Sequence, residues 1–488
     1  MFEFQPRSSS LSWRETIALA LLFVLAASSA RLVGAWVLQD FANSADEFAY
    51  HYQAKTFEQG QLSNPKRPRQ EALSPFYILS HQDKVFSLFP PGWPLLLSFG
   101  TSANLIHWVN PWLAGLAITA AYGFARQLSD RKTAWLTVAL MILSPFFLFN
   151  AASLFSHTAC LFFCLTTAAL LVRNQEAGHC GLALLAGLMG AYAFTIREMT
   201  AVLVLAPWVV YCWFYSRRRV FDLLLWLLGA LPVLAAYFAY NQALTGAGWM
   251  PPRFLMESEQ LGFGERTIRV FDYVRTQTHT PLDALIYTAR NLGRLFLWTA
   301  PGLPLLALWF AWRKRFCRYL VPLGASMVLI IIGYCFYPTE GGNQYGPRFY
   351  FETFPFWALL AAMGCRELFP RLVQRKWIIA AILLAVLVQW GAWIRFYQEQ
   401  IQERRTLFRL VEHRQLANAL VFVGAPSGDM TQGDLIRNLP PLTEQPVIYA
   451  WHLGERNQAV MQRFPERNAY FFGWDEARRT YFLQPVVR

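Results

Sequence analysis

Two adjacent acids, Asp46 and Glu47, follow the first hydrophobic segment of the chain. Carboxylates placed where a helix leaves a bilayer cost free energy unless they serve a function. An ionised carboxylate can take a proton from an attacking hydroxyl. The alternative is structural, because Ser44 and Glu47 fit a capping box and the helix dipole favours an acid in the first turn. On that helix, which we expect to end near Gly60, His51 lies one turn after Glu47.

A second unusual segment, Phe89 to Pro94, reads Phe-Pro-Pro-Gly-Trp-Pro and follows Lys84 by a few residues. Its prolines and glycine are incompatible with a regular helix and predict a turn that sets the next apolar residues against the membrane. The stretch 93–107 is apolar but short, and Pro94 and Gly100 interrupt it. We therefore predict that it lies at the membrane interface and does not span.

The chain has the composition of a membrane protein. Of its 488 residues, 55% are hydrophobic and only 15% are charged, whereas soluble proteins carry about 25% charged residues. Apolar runs of roughly 17 to 25 residues predict about eleven membrane-spanning helices. They are 15–38, 108–127, 133–150, 156–172, 180–196, 200–216, 222–240, 295–312, 318–336, 352–369 and 377–396. The expected fold is an all-α polytopic membrane protein.

The basic residues in the loops predict the orientation. With the N-terminus in the cytoplasm, most basic loop residues fall inside, and the short outside loops hold only Arg197 and Arg348. The predicted topology therefore has the C-terminus outside and two long outside loops, 39–107 and 241–294. The net charge of +13 comes mostly from the inside loops, which argues against nucleic-acid binding.

Taken in chain order, these features resemble the GT-C membrane glycosyltransferases, in particular protein O-mannosyltransferases and the lipid A aminoarabinose transferase. The resemblance covers the chain up to about residue 370. The residues that carry it are Asp46-Glu47 with Tyr50 and Ala54, Gly60-Gln61-Leu62, Pro90-Pro91-Gly92-Trp93-Pro94, Ser144-Pro145 and Gly346-Pro347-Arg348-Phe349-Tyr350.

The resemblance implies an inverting glycosyltransferase with Asp46 as the general base. Such an enzyme takes a sugar from a polyprenyl-phosphate carrier and gives it to a lipid, glycan or protein acceptor at the outer face of the membrane. It also implies a multi-pass protein of the bacterial inner membrane with a periplasmic C-terminus. The alternative class is a lipid-linked sugar flippase or transporter, which acids buried within spans would favour. Both acids here fall outside the predicted spans.

A phosphate-linked donor needs cations that hold the leaving phosphate. Arg197 and Arg348 are the candidates, because they are the basic exceptions in the short outside loops. The glycine-rich approach to Arg348, which includes Tyr345, lets backbone come close to a ligand, and Lys84 is a looser candidate. The structural alternatives are a local pair of Arg197 with Glu198 and snorkelling of Arg348 at the interface.

His157 departs from the family pattern. Relatives commonly carry an aspartate at the outer start of the fourth span, where this chain has Ser-His-Thr. His157 could replace that acid as a polar or metal-binding group, or it could be a hydrogen-bonded polar residue between helices. Asp46, Glu47, His51 and His157 together could supply ligands to a divalent metal ion. Their spacing does not show whether they converge.

The segment 397–488 differs in pattern from the membrane domain, 1–396. Short apolar runs at 419–423, 445–450 and 468–472 are typical of strands, and the run from Glu455 to Arg463 is typical of a helix. We therefore predict a small soluble α/β module outside the membrane, with acceptor contact or structural bracing as its role.

Overall fold

The computed structural model describes residues 12–270, 273–314, 318–342, 344–372, 376–424 and 432–486. Helices in the first half are α1 (Trp13–Leu32), α2 (Ala45–Glu58), α3 (Gln70–Leu73), α4 (Gly92–Ser102), α5 (Ile106–Leu128), α6 (Arg131–Leu143), α7 (Pro145–Ala152), α8 (His157–Ala177), α9 (Cys180–Ile196) and α10 (Glu198–Tyr215). Those in the second half are α11 (Arg219–Thr245), α12 (Pro281–Trp298), α13 (Leu303–Arg313), α14 (Leu320–Cys335), α15 (Phe354–Leu372), α16 (Lys376–Arg404), α17 (Thr406–His413), α18 (Gln432–Leu435) and α19 (Asn457–Arg463).

The strands form three small sheets. They are β1 (Asn64–Pro65), β2 (Ile78–His81), β3 (Lys84–Ser87), β4 (Gly264–Val270), β5 (Tyr273–His279), β6 (Ala419–Val423), β7 (Val447–Trp451), β8 (Asn468–Asp475) and β9 (Thr480–Pro485). The sheet orders are β1-β3-β2, β4-β5 and β7-β6-β8-β9. The first two sheets are antiparallel, whereas β6 pairs in parallel with both β7 and β8.

The chain divides into two compact units. The helical unit comprises Met1–Gly34, His107–Ala239 and Phe254–Ile394. The loop unit comprises Ala35–Ile106, Tyr240–Arg253 and Arg395–Arg488.

Close helix packing holds the helical unit together. Helix α8 packs against α9 and α10, α13 and α6 pack against α15, and α10 packs against α14. Helix α9 meets α11 at two glycines. A Cβ added at Gly187 would lie 1.9 Å from the Trp226 carbonyl oxygen, and one at Gly229 would lie 2.0 Å from that of Leu184. Small residues at this crossing therefore let the two backbones touch, as in other membrane helix pairs.

Every predicted span coincides with a helix or a bent pair of helices. Among the residues that the structure describes, five helices could cross a membrane by length and composition, or up to seven if each bent pair is one span. The protein is therefore a multi-pass membrane protein. The count of eleven spans stays a prediction. The last predicted span, 377–396, belongs to α16, which continues to Arg404.

Two predicted spans are not single helices. Helices α6 and α7 in 133–150 are bent by 64°, because Ser144 precedes a proline and has extended backbone angles, φ −84° and ψ 123°. Helices α12 and α13 are bent by 108° around 299–302. Helix α12 thus begins within the predicted outside loop 241–294 and runs on into the predicted eighth span.

The first outside loop folds around α2 within the loop unit. Ala49 and Tyr52 of α2 pack against Ile78 and Val85 of the first sheet. Helix α2 also packs against α4. Pro94 does not interrupt α4, because it stands in the first turn, where its missing N–H breaks no intrahelical bond. The prediction that Pro94 breaks this segment was wrong.

We call the C-terminal segment 397–488 the tail. Its sheet, β7-β6-β8-β9, shares a hydrophobic core with the segment 39–107, the first predicted outside loop. Leu420, Phe422 and Ile448 of the sheet pack with Ala72 and Leu73 of α3. Strands occur at the three predicted places, and β9 is an addition that the sequence pattern did not predict. The boundary at 397 stays a prediction.

The topology can be tested by labelling introduced cysteines. Ser63→Cys in the first outside loop and Ala477→Cys in the tail should both react with an impermeant maleimide in intact cells, because we expect both segments outside. Cys180 is exposed and predicted inside, so it should react only after permeabilisation. Protection of either introduced cysteine in intact cells would overturn the topology.

Candidate active site

The acids Asp46 and Glu47 have different environments in the loop unit. Helix α2 begins after the N-cap Ser44, whose hydroxyl accepts a hydrogen bond from the Glu47 amide at 3.3 Å. The Glu47 Oε2 accepts from the Asn43 amide at 2.9 Å and from the Ser44 hydroxyl at 3.3 Å. The carboxylate thus caps an amide one residue earlier than in the expected capping box. Glu47 is 1% exposed, whereas Asp46 is half-buried, so the structural alternative applies best to Glu47.

The other candidates from the first outside loop also make contacts within the loop unit. His51 packs edge-on against Phe48, with ring centroids 6.2 Å apart. The Tyr50 ring lies 4.5 Å from Phe89, which links α2 to the Pro-Pro-Gly turn. Lys84 Nζ donates to the Ala243 carbonyl at 2.6 Å. Lys84 therefore has a structural contact, and its predicted binding of phosphate stays a proposal.

A buried group of charged and polar side chains lies in the helical unit, and we call Glu352, His157, Arg197 and Tyr334 the charge cluster. Glu352 Oε1 lies 3.1 Å from His157 Nδ1 and 3.3 Å from Arg197 Nε. Arg197 Nη2 donates to the Tyr334 hydroxyl at 2.7 Å. The side chains of Glu352 and His157 are 0% and 1% exposed. The cluster joins the first residue of α8 and the cap residue between α9 and α10 to α14 and to the 3₁₀ helix Arg348–Thr353.

Arg348 and Tyr345 lie beside this cluster. The Arg348 guanidinium is 4.3 Å from the centre of the Phe155 ring and 5.9 Å from that of Phe349. The Arg197 guanidinium is 6.0 Å from the same Phe349 ring. Tyr345 is fully buried, and its ring centre is 5.7 Å from that of Phe155. The structure thus brings together Arg197, Arg348, His157 and Tyr345, all of which the sequence predicted.

The contacts of Arg197 and His157 bear on the structural alternatives for these two residues, a local pair with Glu198 and a hydrogen bond between helices. Arg197 pairs with Glu352, whereas Glu198 accepts a hydrogen bond from the Tyr237 hydroxyl at 2.8 Å. His157 bonds to Glu352, as expected of a polar residue between helices. Arg197 is therefore held by a distant part of the chain, and its guanidinium has a fixed place in the unit.

The sequence interpretation missed Glu352. It is the fourth residue after Arg348 in an aromatic run, and the tenth predicted span began at this position. Within the part of the chain that the structure describes, its second oxygen, Oε2, is buried and has no hydrogen-bond partner. Because buried carboxylate oxygens are nearly always hydrogen-bonded, this atom is a candidate acceptor for a ligand hydroxyl.

The predicted metal site finds no support among the described residues. Among the described residues, no three His, Cys, Asp or Glu side chains come close enough to hold a metal ion together. Asp46, Glu47 and His51 belong to the loop unit, and His157 belongs to the helical unit. A divalent metal ion at these residues therefore stays a prediction from the sequence.

Comparison with known proteins identifies the fold class. No protein-family model matches the chain, and no curated protein matches its sequence. Solved structures do match, and the fold of this chain is similar to theirs. This confirms at the level of fold the resemblance that the sequence motifs indicated.

The similar structures include the lipid A aminoarabinose transferase ArnT from Cupriavidus metallidurans. Its structure bound to undecaprenyl phosphate has 12% identity and a TM-score of 0.58 over 93% of both chains. The apo state has 13% identity and a TM-score of 0.59 over 95% of this chain and 94% of the other. The oligosaccharyltransferase AglB from Archaeoglobus fulgidus, in complex with an inhibitory peptide and a dolichol-phosphate, has 13% identity and a TM-score of 0.47 over 94% of this chain and 70% of its own.

The charge cluster predicts a large effect of one substitution on stability. Glu352→Ala should lower the free energy of unfolding by about 3 to 5 kcal/mol, because it leaves Arg197 buried without its carboxylate. Thermal unfolding of the purified protein measures this. Glu399→Ala, which removes an acid paired with Arg395 on the surface at 2.8 Å, is the matched control and should change it by about 0.5 kcal/mol or less. Equal shifts in both variants would contradict the role of the cluster.

Proposed function

We propose that this protein is an integral-membrane glycosyltransferase that moves a sugar from a polyprenyl-phosphate carrier to a lipid, glycan or protein acceptor. The fold likeness to ArnT, one structure of which contains undecaprenyl phosphate, supports a carrier of this kind. The proposed site faces the outside of the bacterial inner membrane, with a cytoplasmic N-terminus and a periplasmic C-terminus.

The observation that carries the proposal is the position of Arg197 and Arg348. The two guanidinium groups lie 6.0 and 5.9 Å from the centre of the same Phe349 ring. A guanidinium can hold a phosphate through two parallel hydrogen bonds, and its planar fork also packs on aromatic rings. We therefore assign both arginines to the phosphate of the carrier. Tyr345 and His157 are assigned to the walls of the same donor site.

The proposed reaction is one inverting displacement. The Asp46 carboxylate accepts the proton of the acceptor hydroxyl while the hydroxyl oxygen attacks the anomeric carbon of the sugar. The bond between that carbon and the phosphate oxygen breaks, and the polyprenyl phosphate leaves with the bonding electron pair. Arg348 and Arg197 stabilise the charge that develops on this phosphate. Asp46 then releases its proton to solvent.

The base assignment predicts opposite results for the two adjacent acids. Asp46→Asn should abolish transfer while the unfolding temperature stays close to the original, because a partly exposed first-turn acid contributes only about 0.3 to 1 kcal/mol to stability. Glu47→Gln is the matched control and should retain most of the turnover, since glutamine can still cap the turn. Transfer of labelled sugar from the carrier measures both. Near-normal turnover of Asp46→Asn would remove the base assignment.

The donor assignment predicts a graded response at Arg348. Arg348→Lys should weaken donor use partially and Arg348→Ala severely, because lysine supplies a point charge and no bidentate fork. Steady-state kinetics with donor and acceptor varied separately would show the loss chiefly against the donor. If Arg348→Ala kept the donor KM and raised only the acceptor KM, Arg348 would belong to the acceptor site.

A further inference from the structure

Two arginines of the tail hold the turn that leads into α2, within the loop unit. Arg404, at the end of α16, donates to the Asn43 carbonyl, and Arg437 donates to the Ala42 carbonyl at 2.5 Å. These donors come 361 and 395 residues later in the chain than their acceptors. Two consecutive carbonyls immediately before Ser44, the N-cap of α2, are therefore fixed by the tail.

Three aromatic rings surround the Arg437 guanidinium and hold it in position. It lies 3.8 Å from the centre of the Phe41 ring, 5.0 Å from that of Phe408 and 5.7 Å from that of Phe48. Burial lowers the pKa of Arg437 to about 10. The nearby carboxylates of Asp434 and Glu47 act to raise this pKa. The group stays protonated at neutral pH, and cation–π contacts hold it against the turn.

Asn43 connects these contacts to the acids. It is fully buried. Its carbonyl accepts from Arg404, its amide donates to Glu47 Oε2 at 2.9 Å, and its side-chain Nδ2 donates to Gln400 Oε1 at 2.8 Å. Both the backbone amide and the carbonyl of Asn43 are thus hydrogen-bonded, and the first turn of α2, with Asp46 in it, follows directly from this backbone.

We propose that Arg404 and Arg437 are positioning residues for Asp46, and that holding the general base in place is the function of the tail. This inference rests on the proposed function. A general base must stay within hydrogen-bond reach of the hydroxyl that it deprotonates, and a displacement of about 1 Å can cost about 100-fold in rate.

The tail offers a matched control for this role. Arg463 of α19 also joins the tail to the first outside loop, because it donates to the Pro68 carbonyl and lies over the Phe464 ring at 5.1 Å. Arg437→Met and Arg463→Met therefore each remove a guanidinium that donates to a backbone carbonyl and lies over an aromatic ring. Only the first change affects the turn before α2.

The experiment compares kinetics, stability and amide exchange in the full-length variants. Arg437→Met should lower kcat by about 10- to 100-fold with the KM values for donor and acceptor nearly unchanged, whereas Arg463→Met should keep its kcat. Arg437→Lys should recover part of the lost kcat, because it keeps the charge and one donor. Hydrogen exchange of the amides of 43–48 should accelerate in Arg437→Met and not in Arg463→Met.

Equal kcat values for Arg437→Met and Arg463→Met would overturn the positioning role, as would a loss confined to KM. If Arg437→Met does not fold, Arg437→Lys and Arg404→Lys decide the question. Both should then lose kcat at an unchanged unfolding temperature, and full activity in both would overturn the role. A fully active Asp46→Asn would overturn this inference together with the base assignment. An inactive Asp46→Asn beside a fully active Arg437→Met would overturn the positioning role alone.

Discussion

The ion pair between Glu352 and Arg197 is the interaction on which the helical unit depends. A carboxylate that is 0% exposed among apolar helices is tolerated only when a cation and further donors compensate its charge. Arg197 and His157 supply these, and Tyr334 in turn accepts from Arg197. These partners stand on different helices. Their contacts with the one carboxylate therefore fix the positions of α8, α10, α14 and the 3₁₀ helix before α15 relative to one another.

The loop unit also contains a buried carboxylate, and hydrogen bonds near the start of α2 compensate its charge. Glu47 is buried beside its neighbour Asp46, and its carboxylate is satisfied by the Asn43 amide and the Ser44 hydroxyl. The carbonyls on the other side of the same turn are satisfied by Arg404 and Arg437. One acid of the pair thus serves the fold, and its half-buried neighbour Asp46 is the one that we propose as the general base.

The sequence predicted the helices well, because each apolar run is long and strongly patterned, but it did not predict their bends. The break at Ser144 depends on the residue after it, Pro145, and could have been read from that dipeptide. The sequence singles out Arg197 and Arg348 as candidates because they are exceptions to the charge rule for loops.

Glu352 and Arg437 were missed for different physical reasons. Glu352 stands in an aromatic run at the edge of a predicted span, where a single acid is easily counted as part of the span. Arg437 acts on Ala42, 395 residues earlier, and no local pattern encodes a contact of that separation. The metal hypothesis stays a prediction, because it needs side chains to converge, which sequence spacing alone does not determine.

The central claim is that a sugar leaves its polyprenyl-phosphate carrier on this protein. The most direct measurement uses the purified chain in liposomes with a carrier that is labelled in its sugar, and a membrane extract as the source of acceptors. The account predicts that label leaves the carrier over time and appears in the acceptor fraction, and that Asp46→Asn stops this transfer. Label that stays on the intact carrier while the carrier moves from one leaflet to the other would contradict the account and identify a transporter.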